Sequence, residues 1–94
     1  MNITEYADIL NLNIEINYYH NQNNRWSANF GSSEIKDNSS SAILKSEYGT
    51  GKSPREAIED YLNLISGKVL VINAMSDNRR EYMVPDNLEV GHDL

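Results

Sequence analysis

The chain has 94 residues, of which 39% are apolar and 23% are charged, a composition typical of one small folded domain. Fourteen acidic residues against eight basic ones give a net charge of −6, which disfavours nonspecific nucleic-acid binding because such binding depends on lysine and arginine contacts to phosphates. The absence of cysteine excludes disulfides and thiolate chemistry, and no apolar run approaches the about 20 residues of a membrane helix. Together with an N-terminus that lacks the basic residues of a signal peptide, these features predict a cytoplasmic protein.

The first predicted element is a short helix at the N-terminus. Asn2 is a suitable N-cap, and Glu5 stands at the third helical position, where its carboxylate completes a capping box. The apolar residues of this segment recur at helical spacing. They are Ile3, Tyr6, Ala7 and Leu10.

A β-hairpin is predicted next, because the apolar period changes to two. In residues 12–18 leucine, isoleucine and tyrosine alternate with asparagine and glutamate, which is the pattern of a half-buried strand. Residues 20–24 form a polar turn rich in asparagine, a residue that tolerates left-handed backbone angles. A second strand follows, with Trp26, Ala28 and Phe30 on one face.

Residues 31–41 are polar throughout except for one isoleucine, so a long and mobile connection is predicted there. A third strand is predicted over residues 42–48. The following Gly49-Thr50-Gly51-Lys52-Ser53 run resembles a phosphate-binding loop but lacks its first glycine, whose place is taken by Ser46. We therefore interpret the two glycines as the end of a strand.

A capped helix is predicted over residues 54–66, with Ser53 as N-cap, Pro54 at the first position and Glu56 completing a capping box. Gly67 suits the position just after the helix end. Strands are predicted over 69–72, which is apolar on both faces, and over 79–84. The order α-β-β-β-α-β-β predicts an α+β fold, a two-layer sandwich in which the capped helix covers a mainly antiparallel sheet. Residues 1–85 form the predicted single domain, and the acidic tail 86–94 is predicted to fray.

The sequence contains no catalytic signature. It has no serine–histidine arrangement and no nucleophile elbow, and its two histidines, His20 and His92, lie far apart in the chain without further metal ligands nearby. We therefore predict that the protein is not an enzyme, and we predict no metal and no cofactor.

Two groups of residues are candidates for recognition. The first is a protein-binding group of exposed aromatic and charged residues, whose types are enriched at interfaces. Its members are Tyr19, Arg25, Trp26, Glu59 and Asp60. The second is a small basic patch for a phosphate or an acidic partner, which forms if the last strand lies near the start of the second helix. Its members are Lys52, Arg55, Arg79 and Arg80. The alternative for the basic residues is that they pair with neighbouring carboxylates.

Four segments carry a family resemblance. They are Trp26-x-Ala28-x-Phe30, Tyr48-Gly49-x-Gly51-x-Ser53-Pro54-x-Glu56-Ala57-Ile58, Ile65-Ser66-Gly67-Lys68-x-Leu70-Val71 and Arg80-x-Tyr82-x-Val84-Pro85. This pattern resembles small uncharacterised proteins of phages of Gram-positive bacteria. The core of strands followed by a helix also resembles double-stranded-RNA-binding-like domains and HicB-type antitoxins. The chain lacks the lysine cluster of the former and the attached DNA-binding segment of the latter, so neither function is carried over.

The resemblance and the acidic charge lead to one main functional hypothesis. It is a small phage-type accessory protein that acts in the host cytoplasm by binding another protein, with inhibition of a host defence nuclease, in the manner of an anti-CRISPR protein, as the specific expectation. The alternative is a nucleic-acid-binding protein of phage replication or recombination that uses the basic patch. Strand 12–18 carries no proline or lysine, so a homodimer is also expected if this strand lies at a sheet edge, joined there or through the surface of Tyr18, Tyr19 and Trp26. The alternative is a monomer in which this strand pairs on both sides.

Overall fold

A computed structural model, which describes residues 1–92, gives the chain two helices and six strands. In chain order the elements are α1 (Ile3–Leu10), β1 (Ile14–Tyr18), β2 (Trp26–Phe30), β3 (Ser33–Lys36), β4 (Gly49–Gly51), α2 (Pro54–Ile65), β5 (Val69–Ile72) and β6 (Arg80–Met83). The first sheet has the order β1-β2-β4 and the second the order β3-β5-β6. All four strand pairs in this part of the chain are antiparallel, so the predicted α+β class is confirmed.

Both helices begin at the predicted caps. At α1 the Asn2 side chain accepts a hydrogen bond from the Glu5 N–H at 2.8 Å, and the Glu5 carboxylate accepts one from the Asn2 N–H at 3.0 Å, which completes the capping box. At α2 the Ser53 hydroxyl accepts from the Glu56 N–H at 3.1 Å. The return bond from Ser53 N–H to the Glu56 carboxylate is absent within residues 1–92, so Ser53 alone caps this helix.

The segment between β2 and α2 differs from the prediction. Residues 31–41 contain β3, whose Ile35 and Lys36 are buried, and the strand predicted over 42–48 is reduced to one bridge in which Lys45 and Ile35 exchange two hydrogen bonds of 2.8 Å. The prediction of an irregular connection over residues 31–41 was wrong, because Ile35 is the one apolar residue of β3 and a single apolar residue shows no alternating pattern. The ammonium group of Lys36 lies 2.7 Å from the Glu81 carboxylate, and this distant partner makes its burial tolerable.

The glycine-rich segment brings β4 directly against α2. A Cβ atom added at Gly49 would lie closer than 3.0 Å to backbone atoms of Ala57 and Tyr61. A Cβ atom added at Gly51 would also lie closer than 3.0 Å to the backbone of Ala57. Any residue larger than glycine would therefore separate the strand from the helix. The two glycines serve strand–helix packing, which explains the motif without a phosphate.

One core joins the two helices and both sheets. Tyr6 of α1 and Tyr61 of α2 flank Phe30 of β2, with ring centroids 6.1 and 5.7 Å from that of Phe30. Phe30 and Tyr61 meet edge to face, a geometry that stabilises the pair beyond the area it buries. The second sheet and the residue that follows it add aliphatic side chains. These are Ile35, Leu70, Ile72 and Val84.

Residues 86–92 lie against the rest of the domain. The Ile3 N–H donates a hydrogen bond to the Glu89 carbonyl at 2.8 Å, and the leucine and the valine that flank Glu89 pack against the core. The predicted fraying of 86–94 concerns mobility and stays a prediction, and residues 93 and 94 lie outside the described part of the chain. No helix within residues 1–92 has the length and apolar character that crossing a membrane requires.

Replacing Gly49 with alanine tests the close approach of β4 to α2. The new methyl group meets backbone atoms, so we expect Gly49→Ala to lower the free energy of unfolding by about 3 kcal/mol. Gly31→Ala is the matched control, because its methyl group meets only the flexible carboxylate end of Glu15, and its effect should stay within about 1 kcal/mol. Urea denaturation followed by circular dichroism measures both variants, and equal midpoints would contradict the strand–helix contact.

The hydroxyl of Tyr6 gives a second test of the core. It is buried without a hydrogen-bond partner in the described residues, and its burial raises the pKa of Tyr6. Leaving such a group unpaired costs about 1–3 kcal/mol, so Tyr6→Phe should raise the free energy of unfolding by about 1 kcal/mol. Tyr61→Phe, the control, removes a hydroxyl 3.4 Å from that of Ser33 and should lower the same quantity by about 0.5–1.5 kcal/mol. Thermal denaturation that showed Tyr6→Phe to be the less stable of the two would refute this account.

Candidate functional site

The first sheet has one covered face and one open face. Alternation along β2 sends Ala28 and Phe30 into the core, whereas Ser27 and Asn29 point to the opposite face, which we call the outer face. Both helices contribute to the core side, α1 through Tyr6 and α2 through its contacts with β2 and β4. Within residues 1–92 no helix therefore covers the outer face.

Two adjacent hollows of about 180 and 230 Å³ lie on the outer face. Tyr19, Ser27 and Tyr48 line both hollows, and we call the combined depression the tyrosine groove. Tyr19 is 47% exposed and Tyr48 is 59% exposed, whereas Ser27 is only 6% exposed, so two aromatic rings project at the surface and Ser27 lies in the floor. The remaining lining residues are Glu15, Asn17, Gln22, Asn24, Asn29 and Thr50.

The groove offers hydrogen bonds and aromatic surface but little charge. Its side chains are phenols, hydroxyls and amides, and Glu15 is the one ionisable carboxylate among the lining residues. No histidine, lysine or arginine lines it, and in the described residues no hydrogen bond joins Ser27 to Glu15, so the groove shows no activated serine nucleophile. Exposed tyrosines surrounded by hydrogen-bonding groups are typical of surfaces that bind proteins.

Three of the predicted partner-binding residues come together at the turn of the β1-β2 hairpin. The Tyr19 N–H donates to the Arg25 carbonyl at 2.6 Å, and the Arg25 guanidinium donates to the Tyr18 hydroxyl at 3.3 Å. The rings of Tyr18 and Trp26 lie 5.0 Å apart. Tyr19 belongs to the groove, whereas Trp26 packs against the core on the other face.

The other two residues of the predicted group, Glu59 and Asp60, lie on α2 and have partners within the domain. The Asp60 carboxylate accepts a hydrogen bond of 2.9 Å from the Thr50 N–H, on β4. The Glu59 carboxylate lies 3.4 Å from the Arg55 guanidinium, one helical turn away. Asp60 thus supports the strand beside the groove, and Glu59 lines a different depression together with residues of the tail.

The four predicted basic residues occupy two separate surroundings. Lys52 is exposed at the start of α2, and Arg55 donates to the Gly91 carbonyl at 3.0 Å. Arg79 donates two hydrogen bonds to the Glu81 carboxylate, and Arg80 donates to the Leu10 carbonyl at 2.7 Å, at the negative end of α1. In the described part of the chain, no hydrogen bond, ion pair or shared depression joins Arg55 to Arg79 or Arg80. The Arg55–Glu59 and Arg79–Glu81 pairs agree with the alternative that the basic residues pair with neighbouring carboxylates, whereas Arg80 contacts a backbone carbonyl.

Of the nine residues that line the groove, only Tyr19 is among the predicted site residues, and the eight others include Ser27, Tyr48 and Thr50. The alternation of β2 indicates that Ser27 points away from the core, so the sequence did contain a signal for it. Tyr48 reaches the groove because residues 37–48 run back from the second sheet to the first, a path that no local pattern shows.

Comparison with family models, with curated proteins and with solved structures found no match. The resemblances to phage proteins, to double-stranded-RNA-binding-like domains and to HicB-type antitoxins therefore stay predictions. Within residues 1–92 no three histidine, aspartate or glutamate side chains lie together in a group that could hold a metal ion. The tyrosine groove and the hairpin turn beside it are the candidate functional surface.

The Glu81 carboxylate forms ion pairs with Lys36 and Arg79, so the free energy of unfolding should decrease at acid pH. Its hydrogen bonds to Lys36 and then to Arg79 lower the pKa of Glu81. A carboxylate whose pKa is lowered by folding stabilises the fold above its ordinary pKa, and this contribution disappears as the pH falls through the folded-state value. We expect Glu81→Gln to be less stable than the unchanged protein at pH 7 and to lose less stability between pH 7 and pH 3. Urea midpoints measured across this range test the expectation, and identical pH profiles would contradict it.

Proposed function

We propose that this chain is a non-catalytic protein-binding module that recognises its partner through the tyrosine groove. The observation that carries the proposal is the open outer face of the first sheet, on which Tyr19 and Tyr48 are about half exposed on either side of a nearly buried Ser27. Tyrosine presents a large rigid surface at low cost in conformational entropy and also offers a hydroxyl. Residues of this kind contribute most of the binding energy at protein interfaces.

The side chains around the tyrosines suit a protein partner. Asparagine, glutamine, serine and threonine supply donors and acceptors for a polar rim, and the hollows, of about 180 and 230 Å³, are each smaller than a typical small-molecule pocket. Binding a protein requires no activated nucleophile and no metal, and the described groove residues show neither. Each of these points favours recognition over catalysis.

The finer proposal concerns the partner's chemistry and setting. A net charge of −6 attracts a basic protein surface over a distance of about 10 Å at moderate salt. A nucleic-acid-processing enzyme has such a surface, which supports the hypothesis of a phage accessory protein that inhibits a host defence nuclease in the cytoplasm. The support for this step is the charge and the resemblance to phage proteins.

The alternative function, nucleic-acid binding in phage replication or recombination, has less support. It depends on Lys52, Arg55, Arg79 and Arg80 acting together, and three of these four donate hydrogen bonds to other parts of the domain. The groove itself contains no cation that would contact a phosphate.

An affinity capture experiment tests the groove directly. Immobilised protein is incubated with nuclease-treated lysate of Gram-positive host cells, and bound protein is eluted at increasing salt. We expect a stoichiometric protein partner. We also expect the double variant Tyr19→Ala/Tyr48→Ala to weaken its binding by at least about tenfold, because tyrosine contacts of this kind contribute more than about 1.4 kcal/mol.

Met83→Ala is the control, since Met83 is exposed on the second sheet and lies outside the groove. Circular dichroism verifies that each variant is folded. The proposal is overturned if the double variant and Met83→Ala capture the partner equally well. A parallel capture from untreated lysate completes the design, and a partner that is captured only from the untreated lysate would instead favour the nucleic-acid alternative.

A further inference from the structure

Three of the four sheet edges in residues 1–92 are protected. The edge of β3 is covered where Lys45 bridges to it, and the edge of β4 has its free N–H bonded to the Asp60 carboxylate. The edge strand β6 carries Arg80 and Glu81 and is followed closely by Pro85. Charges, prolines and covering segments of this kind are what prevents edge strands from pairing with other chains.

The fourth edge, that of β1, has no such protection in the described residues. Its one charged residue is Glu15, and it contains neither lysine nor proline. Ile16 is 37% exposed and Tyr18 is 51% exposed, both on the side of the sheet that faces the helices. The α2 helix packs over β2 and β4, so these side chains lie beyond its cover.

Hydrogen bonds at the two ends of β1 show which backbone groups are free. The Gly31 N–H donates to the Asn13 carbonyl at 2.8 Å, and the Tyr19 N–H donates to the Arg25 carbonyl at 2.6 Å. In an antiparallel ladder alternate residues bond to the same neighbour, so the odd-numbered residues of this segment bond to β2. The N–H and C=O groups directed to the open edge belong to Ile14, Ile16 and Tyr18.

We propose that this chain forms a symmetric homodimer in which β1 pairs antiparallel with β1 of a second copy, with the two-fold axis at Ile16. In this register Ile16 stands opposite Ile16 of the second copy, and Tyr18 stands opposite Ile14. All three residue pairs use backbone groups that point to the open edge, and each pair exchanges two hydrogen bonds.

The side chains of β1 are complementary to themselves in this register. Glu15 stands opposite Asn17 of the second copy, so the two carboxylates are not directly opposed and each has a neutral hydrogen-bonding neighbour. Tyr18 opposite Ile14 is a pair of an aromatic and a β-branched side chain, a combination that stabilises antiparallel sheets. A second copy therefore satisfies both the backbone and the side chains of this edge.

The dimer goes beyond the proposed function and does not depend on it. Because the two-fold axis is perpendicular to the sheet, the two first sheets join into one, with the helices of both copies on one face. The two open outer faces, each with its tyrosine groove, form the opposite face of the joined sheet. The net charge of −6 on each copy opposes association, so dimerisation should strengthen as salt screens the repulsion.

Sedimentation equilibrium over a concentration series at moderate salt is the first test. The expected result is a mass that rises from 10.7 kDa towards twice that value. Ile16→Lys places two ammonium groups next to each other at the axis and should keep the protein monomeric. The control Ile9→Lys changes the other exposed isoleucine of this end of the chain, on α1, and should dimerise normally. A constant monomer mass, or an Ile16→Lys variant that still dimerises, overturns the proposal.

A cross-link tests the register. The chain contains no cysteine, so Ile16→Cys introduces a single thiol per copy. Directly opposed residues in a hydrogen-bonded antiparallel pair have Cα atoms about 5.5 Å apart, which suits a disulfide. Under mild oxidation Ile16→Cys should form a covalent dimer much faster than Ile9→Cys, and equal rates would rule out an axis at residue 16. Partner capture by the groove is a separate measurement with separate variants, so failure of either proposal is recognised independently.

Discussion

The close approach of the β4 backbone to α2 is the constraint on which the rest of the structure depends. Gly49 and Gly51 carry no Cβ, so the helix backbone at Ala57 lies directly on the strand. This contact fixes α2 on the core side of the first sheet and brings the Asp60 carboxylate to the free Thr50 N–H. The second helix is thereby held on one face of the first sheet, and no helix of residues 1–92 covers the other face.

Ion pairs within the domain account for much of the positive charge. Lys36 is buried beside Glu81, and the same carboxylate accepts two hydrogen bonds from Arg79. Arg80 contacts the last turn of α1, where a cation stabilises the carbonyl end of the helix. Because these cations serve the fold, the acidic excess of the sequence is what the surface presents to other molecules.

Features specified by short stretches of sequence could be predicted. The Ser53 cap, the alternation of β1 and β2 and the left-handed Gly67 after α2 each depend on a few neighbouring residues. β3 could not be predicted, because Lys36 is buried only through a partner 45 positions further along the chain, at Glu81. Such pairings become visible only when the second sheet has formed.

The same distinction applies to the candidate site. The hairpin turn with Tyr19 and Arg25 follows from a local pattern, and the structure places both residues together. Tyr48 also lines the groove, but it lies beside β1 and β2 only because the chain returns from the second sheet after residue 45. A surface assembled from distant segments leaves no motif in the sequence. Tyr48 therefore could not be predicted as a residue of the groove.

The geometry of β1 separates its two proposed roles. The side chains of its odd-numbered residues, such as Asn17, line the groove, and so does the side chain of Tyr19, which follows the strand. The backbone groups that point to the open edge belong instead to the even-numbered residues. A partner on the outer face and a second copy at the edge therefore contact different atoms of one strand. Both can be accommodated at once, and in the dimer the two grooves would lie on one continuous sheet, an arrangement that favours a partner with repeated or symmetric binding sites.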